Sequence, residues 1–267
     1  MDIKTTVQVL IKDGFILVFN EDRLDIVKTA GALLEAGIGN MEVTCRIKKP
    51  LEKLKRLVRE LPEFVAGAAS LIDYPEMLKS FNQTHSDNLL PSVDEVVEAG
   101  AHYLVSAVNF GKETYEKYAG QLAIIPGCGS ATEIIQQFSL GANFCKVFPA
   151  KELGGPAFIK AVDPAIHKLI SLVPTGGTNT QNIPDYIEAG VLVLGGSFSA
   201  IDKPVFAKIV EQQDYKLLAS ELKKTKELIE SKRSQKWPKL DFAKASIEQI
   251  GRITGRSFNF IRRGGIR

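Results

Sequence analysis

Cysteine and histidine are scarce in this sequence. The chain has three of each among 267 residues. The histidines are well separated, so we expect no histidine-based metal site. The cysteines show neither paired nor metal-like spacing, and two of them lie in apolar runs. We therefore interpret them as reduced structural thiols of a cytoplasmic protein.

Long hydrophobic runs are also missing. No stretch approaches the roughly 18 uninterrupted apolar residues that a membrane helix needs. The first residues, MDIKTTVQVLIKDG, lack the apolar core and the small-residue cleavage site of a signal peptide. With 45% apolar and 24% charged residues, the composition is that of a soluble globular protein. The sequence predicts a cytoplasmic protein with no membrane partner.

Short apolar runs alternate with helix-length amphipathic segments along most of the chain. The runs are residues 15–19, 41–44, 64–70, 102–108, 122–127, 144–148, 171–177 and 191–197. Strict alternation implies a parallel sheet, and eight repeats favour a closed (β/α)₈ TIM barrel over an open doubly wound sheet. We predict an α/β fold with this barrel over residues 1–214 and a helical, basic C-terminal extension over residues 215–267.

Acidic residues are scarce at the C-terminal end. Residues 231–267 contain ten Lys or Arg and two Asp or Glu, a net charge of +8. Because the whole chain carries +3, residues 1–230 carry −5. Few aromatic residues accompany the basic ones, so a solvated helix is favoured over a nucleic-acid site. We expect this tail to lie outside the barrel and its removal after about Ser231 to leave the chemistry intact.

A lysine stands inside the sixth apolar run, FCKVFPA (144–150). Burying an ammonium group costs several kcal/mol unless the group is paired or loses its proton. Because side chains alternate along a strand, Lys146 shares a face with Phe144 and Phe148. A structural lysine whose amine extends to solvent is an equally good interpretation of this residue alone.

The second run and the two residues after it, MEVTCR (41–46), place Glu42, Thr44 and Arg46 on one face by the same alternation. If this face and that of Lys146 both point into the barrel, a carboxylate, a guanidinium and an amine converge at one site. The chemistry of such barrels lies at the C-terminal ends of the strands. For Glu42 and Arg46 alone, an ion pair at the barrel rim remains the alternative.

Glycine pairs end the last two runs. PTGG (174–177) ends the seventh and GGS (195–197) ends the eighth. The loops after these strands commonly bind phosphate, because glycine lets backbone N–H groups approach an anion. Turn formation remains the alternative, since glycine also ends helices and turns. Two such pairs on adjacent strands favour a phosphate site.

Together these motifs resemble a known family. EVTCR, KVFPA, PTGG and GGS, in this order and spacing, are similar to those of the 2-keto-3-deoxy-6-phosphogluconate (KDPG) aldolases, which also act on 4-hydroxy-2-oxoglutarate. The likeness extends from about Phe15 to Phe198. It implies a class I aldolase that forms a Schiff base with its substrate, uses no metal or other cofactor, and assembles as a homotrimer. The implied partners are a phosphorylated keto acid and pyruvate.

The resemblance also implies a role for each matching residue. Lys146 would form the Schiff base and Glu42 would act as the general acid and base. Burial and the nearby Arg46 cation would favour the neutral amine that attacks a ketone. The residues implied to bind the rest of the substrate are Arg46, Ser70, Phe148 and Thr175, and those implied to receive the phosphate are Gly176, Gly177, Gly195, Gly196 and Ser197.

Several positions depart from the family pattern. The G-A-G-T of the family is GAAS (67–70), its S-P-G is SAV (106–108), and its F-P-A-E ends in Lys151 instead of an acid. The segment around 80–93 looks inserted. These changes leave the lysine chemistry in place. They affect the prediction of which aldehyde forms the other half of the substrate.

Three functional hypotheses follow. The first is cleavage of KDPG to pyruvate and glyceraldehyde 3-phosphate. The second keeps the lysine chemistry on 4-hydroxy-2-oxoglutarate or another 2-keto-3-deoxy acid. The third, from a different class, is a barrel without turnover that binds phosphorylated metabolites and uses the basic tail for docking. A coupled pyruvate assay separates the enzymes from the third hypothesis.

Overall fold

The strands of the protein are the short apolar runs of its sequence. The computed structural model describes residues 1–260, and every strand pair within them is parallel. The strands are β1 Phe15–Phe19, β2 Asn40–Thr44, β3 Val65–Leu71, β4 Tyr103–Ser106, β5 Ala123–Ile125, β6 Gly127–Cys128, β7 Cys145–Val147, β8 Leu172–Pro174 and β9 Leu194–Ser197. Parallel strands covered on both faces explain why these runs are continuously apolar.

The strands curve around an enclosed interior. One sheet has the order β5-β4-β3-β2-β1-β9 and the other β6-β7-β8. The two join at Pro126, whose carbonyl accepts a hydrogen bond from the Lys146 N–H at 2.8 Å. At the opposite seam β8 packs closely on β9, where a Cβ added to Gly195 would lie 2.2 Å from Oγ1 of Thr175. This arrangement confirms the predicted α/β fold of the TIM-barrel type.

The prediction of one continuous fifth strand over residues 122–127 is wrong. The structure divides this position into β5 and β6, with Pro126 between them. Proline has no N–H to donate to a strand ladder, so the hydrogen-bonded pairing stops there. The chain then changes partners, because β5 pairs with β4 whereas β6 pairs with β7.

Helices cover the outside of the barrel and its N-terminal end. They are α1 Ile3–Asp13, α2 Ile26–Glu35, α3 Pro50–Glu60, α4 Pro75–Thr84, α5 Val93–Glu98, α6 Lys112–Tyr118, α7 Ala131–Leu140, α8 Pro156–Ala165, α9 Ile183–Glu188, α10 Lys203–Gln212, α11 Tyr215–Lys236 and α12 Ile247–Thr254, with a 3₁₀ turn at Phe198–Ala200. Local sequence sets several ends: Ser92 with Glu95, and Ser246 with Gln249, form capping boxes at α5 and α12. Within residues 1–260, no helix combines the length and apolar character needed to cross a membrane.

The core has two apolar layers. Side chains on the outer face of the strands, such as Met41 and Val43, pack against the surrounding helices. Side chains on the inner face, such as Ile16 and Phe144, fill the barrel interior. The alternation predicted from the sequence is therefore confirmed, and it directs Glu42, which lies between Met41 and Val43, into the barrel.

The C-terminal segment completes the barrel instead of lying outside it. Helix α11 packs against α2 and α9, which follow β1 and β8. Beyond α11, Phe242 and Ile250 belong to the same apolar cluster as the barrel interior. The expectation that this tail has no place in the barrel is wrong. The tail is basic overall, but one side of it is apolar and buried against the barrel. The boundary between residues 214 and 215 stays a prediction, and residues 261–267 of the tail lie outside the described part of the chain.

Arg233 shows how the tail is fastened to the N-terminal end of the barrel. Its side chain is 1% exposed, and its guanidinium donates to the backbone carbonyls of Ile11, Lys12 and Leu192. The Phe242 ring covers it, with a centroid 4.3 Å from the guanidinium carbon. Burial lowers the pKa of Arg233 to about 9. We call this layer of α1 and residues 233–260 the floor of the barrel.

A second buried arginine anchors the end of the floor. Arg256 forms an ion pair with Asp163 of α8 and donates to the carbonyls of Ile170 and Gly190 at 3.0 and 2.9 Å. Both carbonyls lie shortly before a strand, β8 and β9 respectively. The backbone N–H of Ser257 adds a bond to the Leu169 carbonyl at 2.8 Å. The floor therefore joins segments that enter different strands.

Candidate active site

A cavity of about 460 Å³ opens at the C-terminal ends of the strands, opposite the floor. Its lining includes all but one of the residues proposed from the sequence, namely Glu42, Arg46, Ser70, Lys146, Phe148, Thr175, Gly176, Gly177, Gly196 and Ser197. Residues from β2, β3, β7, β8 and β9 meet here because parallel strands end at one rim. A cavity of this size and position is where barrel enzymes place their chemistry.

Glu42 and Lys146 form a buried ion pair at the bottom of the cavity. The Lys146 Nζ donates to Oε1 of Glu42 at 3.2 Å, and the two side chains are 7% and 4% exposed. The sequence could not separate this arrangement from a lysine that extends to solvent or from a rim pair of Glu42 with Arg46. The structure favours neither alternative. It places the Lys146 nitrogen and a carboxylate oxygen of Glu42 in direct contact, with both side chains buried.

Arg46 and Ser70 lie together on one side of this pair. The Nε of Arg46 donates to Oγ of Ser70 at 3.1 Å. Ser70 has a φ of 62°, and the register of β3 with β4 shifts between Ala68 and Leu71. A β-bulge of this kind redirects a side chain at the end of a strand. The guanidinium and the hydroxyl can therefore bind a carboxylate together.

Phe148 and Thr175 form the opposite side. The Phe148 ring centroid lies 5.4 Å from Nζ of Lys146, so the ring is a wall for anything bound to the amine. Thr175 is buried, and its hydroxyl donates to the carbonyl of Val173 at 3.4 Å. A ligand that offers a better acceptor could take this hydrogen bond.

Gly195 is the proposed residue that does not line the cavity. It lies behind Thr175, and any side chain there would overlap the threonine hydroxyl, 2.2 Å from the added Cβ. We therefore assign Gly195 a packing role, in which the missing side chain lets Thr175 approach β9. The resemblance implied that Gly195 receives the phosphate, and this role stays a prediction.

The loops after β8 and β9 present small polar groups to the cavity. Gly176 and Gly177 have φ values of 93° and 77°, a conformation that favours glycine. The Ser197 hydroxyl lies 2.8 Å from that of Ser199. Backbone N–H groups and hydroxyls at the end of a barrel are the usual partners of a phosphate.

Sequence reasoning missed the apolar wall on the β3 and β4 side. Its residues are Ile72, Met77, Phe81, Leu90 and Val108, and the polar residues it also missed are Asn20, Thr178 and Ser199. In the sequence, the segment around 80–93 is recognisable only as an insertion. Met77 and Phe81 stand four residues apart on α4, and this spacing could have indicated a shared helix face.

The remaining titratable groups near the barrel core do not compete for the chemistry. Burial raises the pKa of Cys45 to about 12 and also raises that of Cys145, so both thiols stay protonated. Burial, with nearby Glu42, raises the pKa of Tyr103. Among residues 1–260, no three His, Cys, Asp or Glu side chains cluster in a way that could hold a metal ion.

Known proteins resemble this chain along most of its length. The family model described as KDPG and KHG aldolase matches residues 10–218. A 2-dehydro-3-deoxy-phosphogluconate aldolase of Zymomonas mobilis is 30% identical over 194 residues, which are 71% of this chain and 83% of that protein. The KHG/KDPG aldolase of Escherichia coli (strain K12) is 28% identical over 173 residues, 64% of this chain and 73% of that protein.

Solved structures agree with the fold. The 2-keto-3-deoxy-6-phosphogluconate aldolase of Zymomonas mobilis ZM4, crystallised with 3-phosphoglycerate, has a TM-score of 0.61 and 27% identity, covering 82% of this chain and 94% of that one. The KDPG aldolase of Legionella pneumophila has a TM-score of 0.64 at 24% identity, covering 82% and 97%. Since the family model spans most of the residues, this chain belongs to the KDPG and KHG aldolase family and is an aldolase, a lyase.

Proposed function

We propose that this aldolase cleaves 2-keto-3-deoxy-6-phosphogluconate to pyruvate and glyceraldehyde 3-phosphate through a Schiff base on Lys146. The observation that carries the proposal is the buried contact of 3.2 Å between Lys146 and Glu42. An amine beside a carboxylate in a water-poor cavity supplies both a nucleophile and a proton carrier. No metal or other cofactor is needed for this chemistry.

The first stage forms the imine. Glu42 takes a proton from the Lys146 ammonium, and the neutral amine adds to the C2 carbonyl of the keto acid. Glu42 returns the proton to the C2 hydroxyl, which leaves as water. The product is a positively charged iminium bound to Lys146. Arg46 and Ser70 hold the C1 carboxylate during these steps.

The second stage breaks the bond between C3 and C4. Glu42, again a carboxylate, takes the proton of the C4 hydroxyl. The electron pair of the C3–C4 bond moves into the iminium and gives a neutral enamine, while C4 becomes the aldehyde of glyceraldehyde 3-phosphate. Glu42 then protonates C3, and water hydrolyses the resulting iminium to pyruvate and free Lys146.

The barrel order supports the orientation of the substrate. Around the ring, β3 lies opposite β8 and β4 lies opposite β9, by the strand order. The carboxylate site at Arg46 and Ser70 thus faces the loops of Gly176–Gly177 and Ser197 across the cavity. A linear acid bound between them would pass Lys146. The 3-phosphoglycerate in the Zymomonas mobilis relative is similar in chemistry to the aldehyde product proposed here.

The competing substrate is 4-hydroxy-2-oxoglutarate, whose distal group is a carboxylate instead of a phosphate. The same two loops could bind it, and the family name includes both activities. We place it second because two glycine loops and a serine offer several donors for the three oxygens of a phosphate. We further propose a cytoplasmic homotrimer: buried free thiols support the compartment, and the family resemblance supports the trimer.

The role of Glu42 is tested by replacing Glu42 with Gln, which keeps the shape of the side chain but removes its proton-carrying group. General acid–base catalysis is worth about 10²–10⁴-fold, so kcat should fall by that order. Borohydride trapping with pyruvate should continue at a lower rate. Unchanged kcat in a steady-state pyruvate assay would reduce Glu42 to a structural partner of Lys146.

The phosphate assignment is tested by replacing Ser197 with Ala. A hydrogen bond to a charged group is worth about 1.5–3 kcal/mol, or about 10–100-fold in kcat/KM. The ratio of kcat/KM for KDPG over unphosphorylated 2-keto-3-deoxygluconate should fall by this factor. Ser231→Ala, on an exposed part of α11, is the matched control. Equal efficiency of the wild-type protein on both substrates would refute the phosphate site and give the second substrate precedence.

A further inference from the structure

Lys151 lies against the loop of Gly176 and Gly177, which follows β8. The backbone N–H of Lys151 donates to the carbonyl of Gly176 at 3.1 Å. Its side chain crosses Gly177, where an added Cβ would lie 2.5 Å from Cβ and 2.9 Å from Cδ of the lysine. The aliphatic part of Lys151 therefore occupies the space that a side chain at Gly177 would need. The lysine and the loop are packed as one unit.

The charge of Lys151 is not neutralised within the protein. The residue is exposed, and among residues 1–260 its ammonium has neither an ion pair nor a side-chain hydrogen bond. The ammonium is thus available to a ligand.

The residues that the loops after β8 and β9 contribute to the cavity carry no charge. The cavity residues from β8 and β9 are Thr175, Gly176, Gly177, Thr178, Gly196, Ser197 and Ser199. They offer hydrogen bonds to an anion but no compensating positive charge. The family pattern F-P-A-E would place a carboxylate at position 151, which repels a phosphate. This chain places a cation there instead.

We propose that Lys151 is a specificity-determining residue, which attracts the dianionic distal group of the substrate to the loops after β8 and β9. The inference rests on the proposed function, because it requires a substrate whose distal group binds there. Lysine suits this role as a flexible point charge on a long stem. Its exposed position makes the attraction sensitive to salt.

The test measures kcat/KM for KDPG and for 2-keto-3-deoxygluconate in wild-type protein, Lys151→Gln and Lys151→Glu. The ratio of the two values should fall about 5–10-fold in Lys151→Gln, from the loss of one exposed attraction to a dianion. It should fall about 50-fold or more in Lys151→Glu, where repulsion replaces attraction. Lys160→Glu, an exposed charge reversal on α8, is the matched control and should not change the ratio.

The dependence of kcat/KM on ionic strength separates an electrostatic role of Lys151 from a packing role, which would not depend on salt. For the wild-type protein, kcat/KM on KDPG should decrease as potassium chloride rises from low to physiological concentration, and this slope should flatten in Lys151→Gln. An unchanged ratio in Lys151→Glu, or equal losses on both substrates, would overturn the inference while leaving the proposed function standing. Absence of KDPG cleavage by the wild-type protein would overturn both.

Discussion

Replacing Lys146 with alanine should abolish aldol cleavage and the covalent capture of pyruvate. An imine is reducible, so sodium borohydride added with pyruvate should attach a three-carbon fragment to Lys146 of the wild-type protein. Without the amine neither the imine nor its electron sink can form. Intact-protein mass spectrometry and a coupled pyruvate assay measure the two losses.

The substitution also leaves Glu42 buried without its partner, which is destabilising in itself. Thermal unfolding followed by circular dichroism should therefore accompany the assays. Lys146→Met, which keeps more of the side-chain volume, provides a second variant, and Lys160→Ala on the exposed side of α8 is the control. Full labelling in a folded Lys146 variant would place the nucleophile at another residue.

Ending the chain after Ser231 should prevent stable folding, contrary to the expectation from the charge of the tail that its removal leaves the chemistry intact. The truncation removes the floor residues Arg233, Phe242 and Ile250, which pack under the barrel interior. Loss of one buried phenylalanine side chain costs about 3–5 kcal/mol. The complete stability of a domain is about 5–15 kcal/mol, so the loss of several such residues exceeds what the barrel can tolerate. We expect insoluble protein, or soluble protein without a cooperative unfolding transition.

A variant that removes exposed charges but no buried side chains separates the contribution of packing from that of electrostatics in the tail. Lys239→Ala combined with Lys244→Ala removes two exposed basic residues and leaves the floor intact. Its free energy of unfolding should stay within about 0.5 kcal/mol of wild type for each substitution. A folded and active chain ending at Ser231 would show instead that the barrel interior is stable without its floor.

The strand positions were predictable because parallel strands buried on both faces give a local signal. Runs such as FILVF and VLVLGGS show it in the sequence. Alternation along the strands also placed Glu42 and Lys146 on faces that could both point into a closed barrel. It could not show that these two side chains, 104 positions apart in the sequence, make contact.

The features of the fold and the site that could not be predicted from the sequence depend on long-range packing. Arg233 looks like any other basic residue of the tail, and only the fold shows that it is 1% exposed. Hydrophobic spacing in the tail is interrupted by turns, so Phe242 and Ile250 gave no periodic pattern. The apolar wall at Phe81 and Leu90 arises from two separate segments that meet only in the folded chain.

The position of the floor has a consequence for synthesis on the ribosome. Chains emerge N-terminal end first at about 5–20 residues per second, so every cavity residue proposed here emerges before Arg233 does. Helix α1 emerges before the strands described here, but its packing partners in residues 233–260 emerge after them. A nascent barrel complete through β9 therefore exposes Phe144 and its apolar neighbours at an open end. The barrel should therefore complete its folding only after residues 233–260 have emerged, and chaperones that bind exposed apolar surface would meet the chain before then.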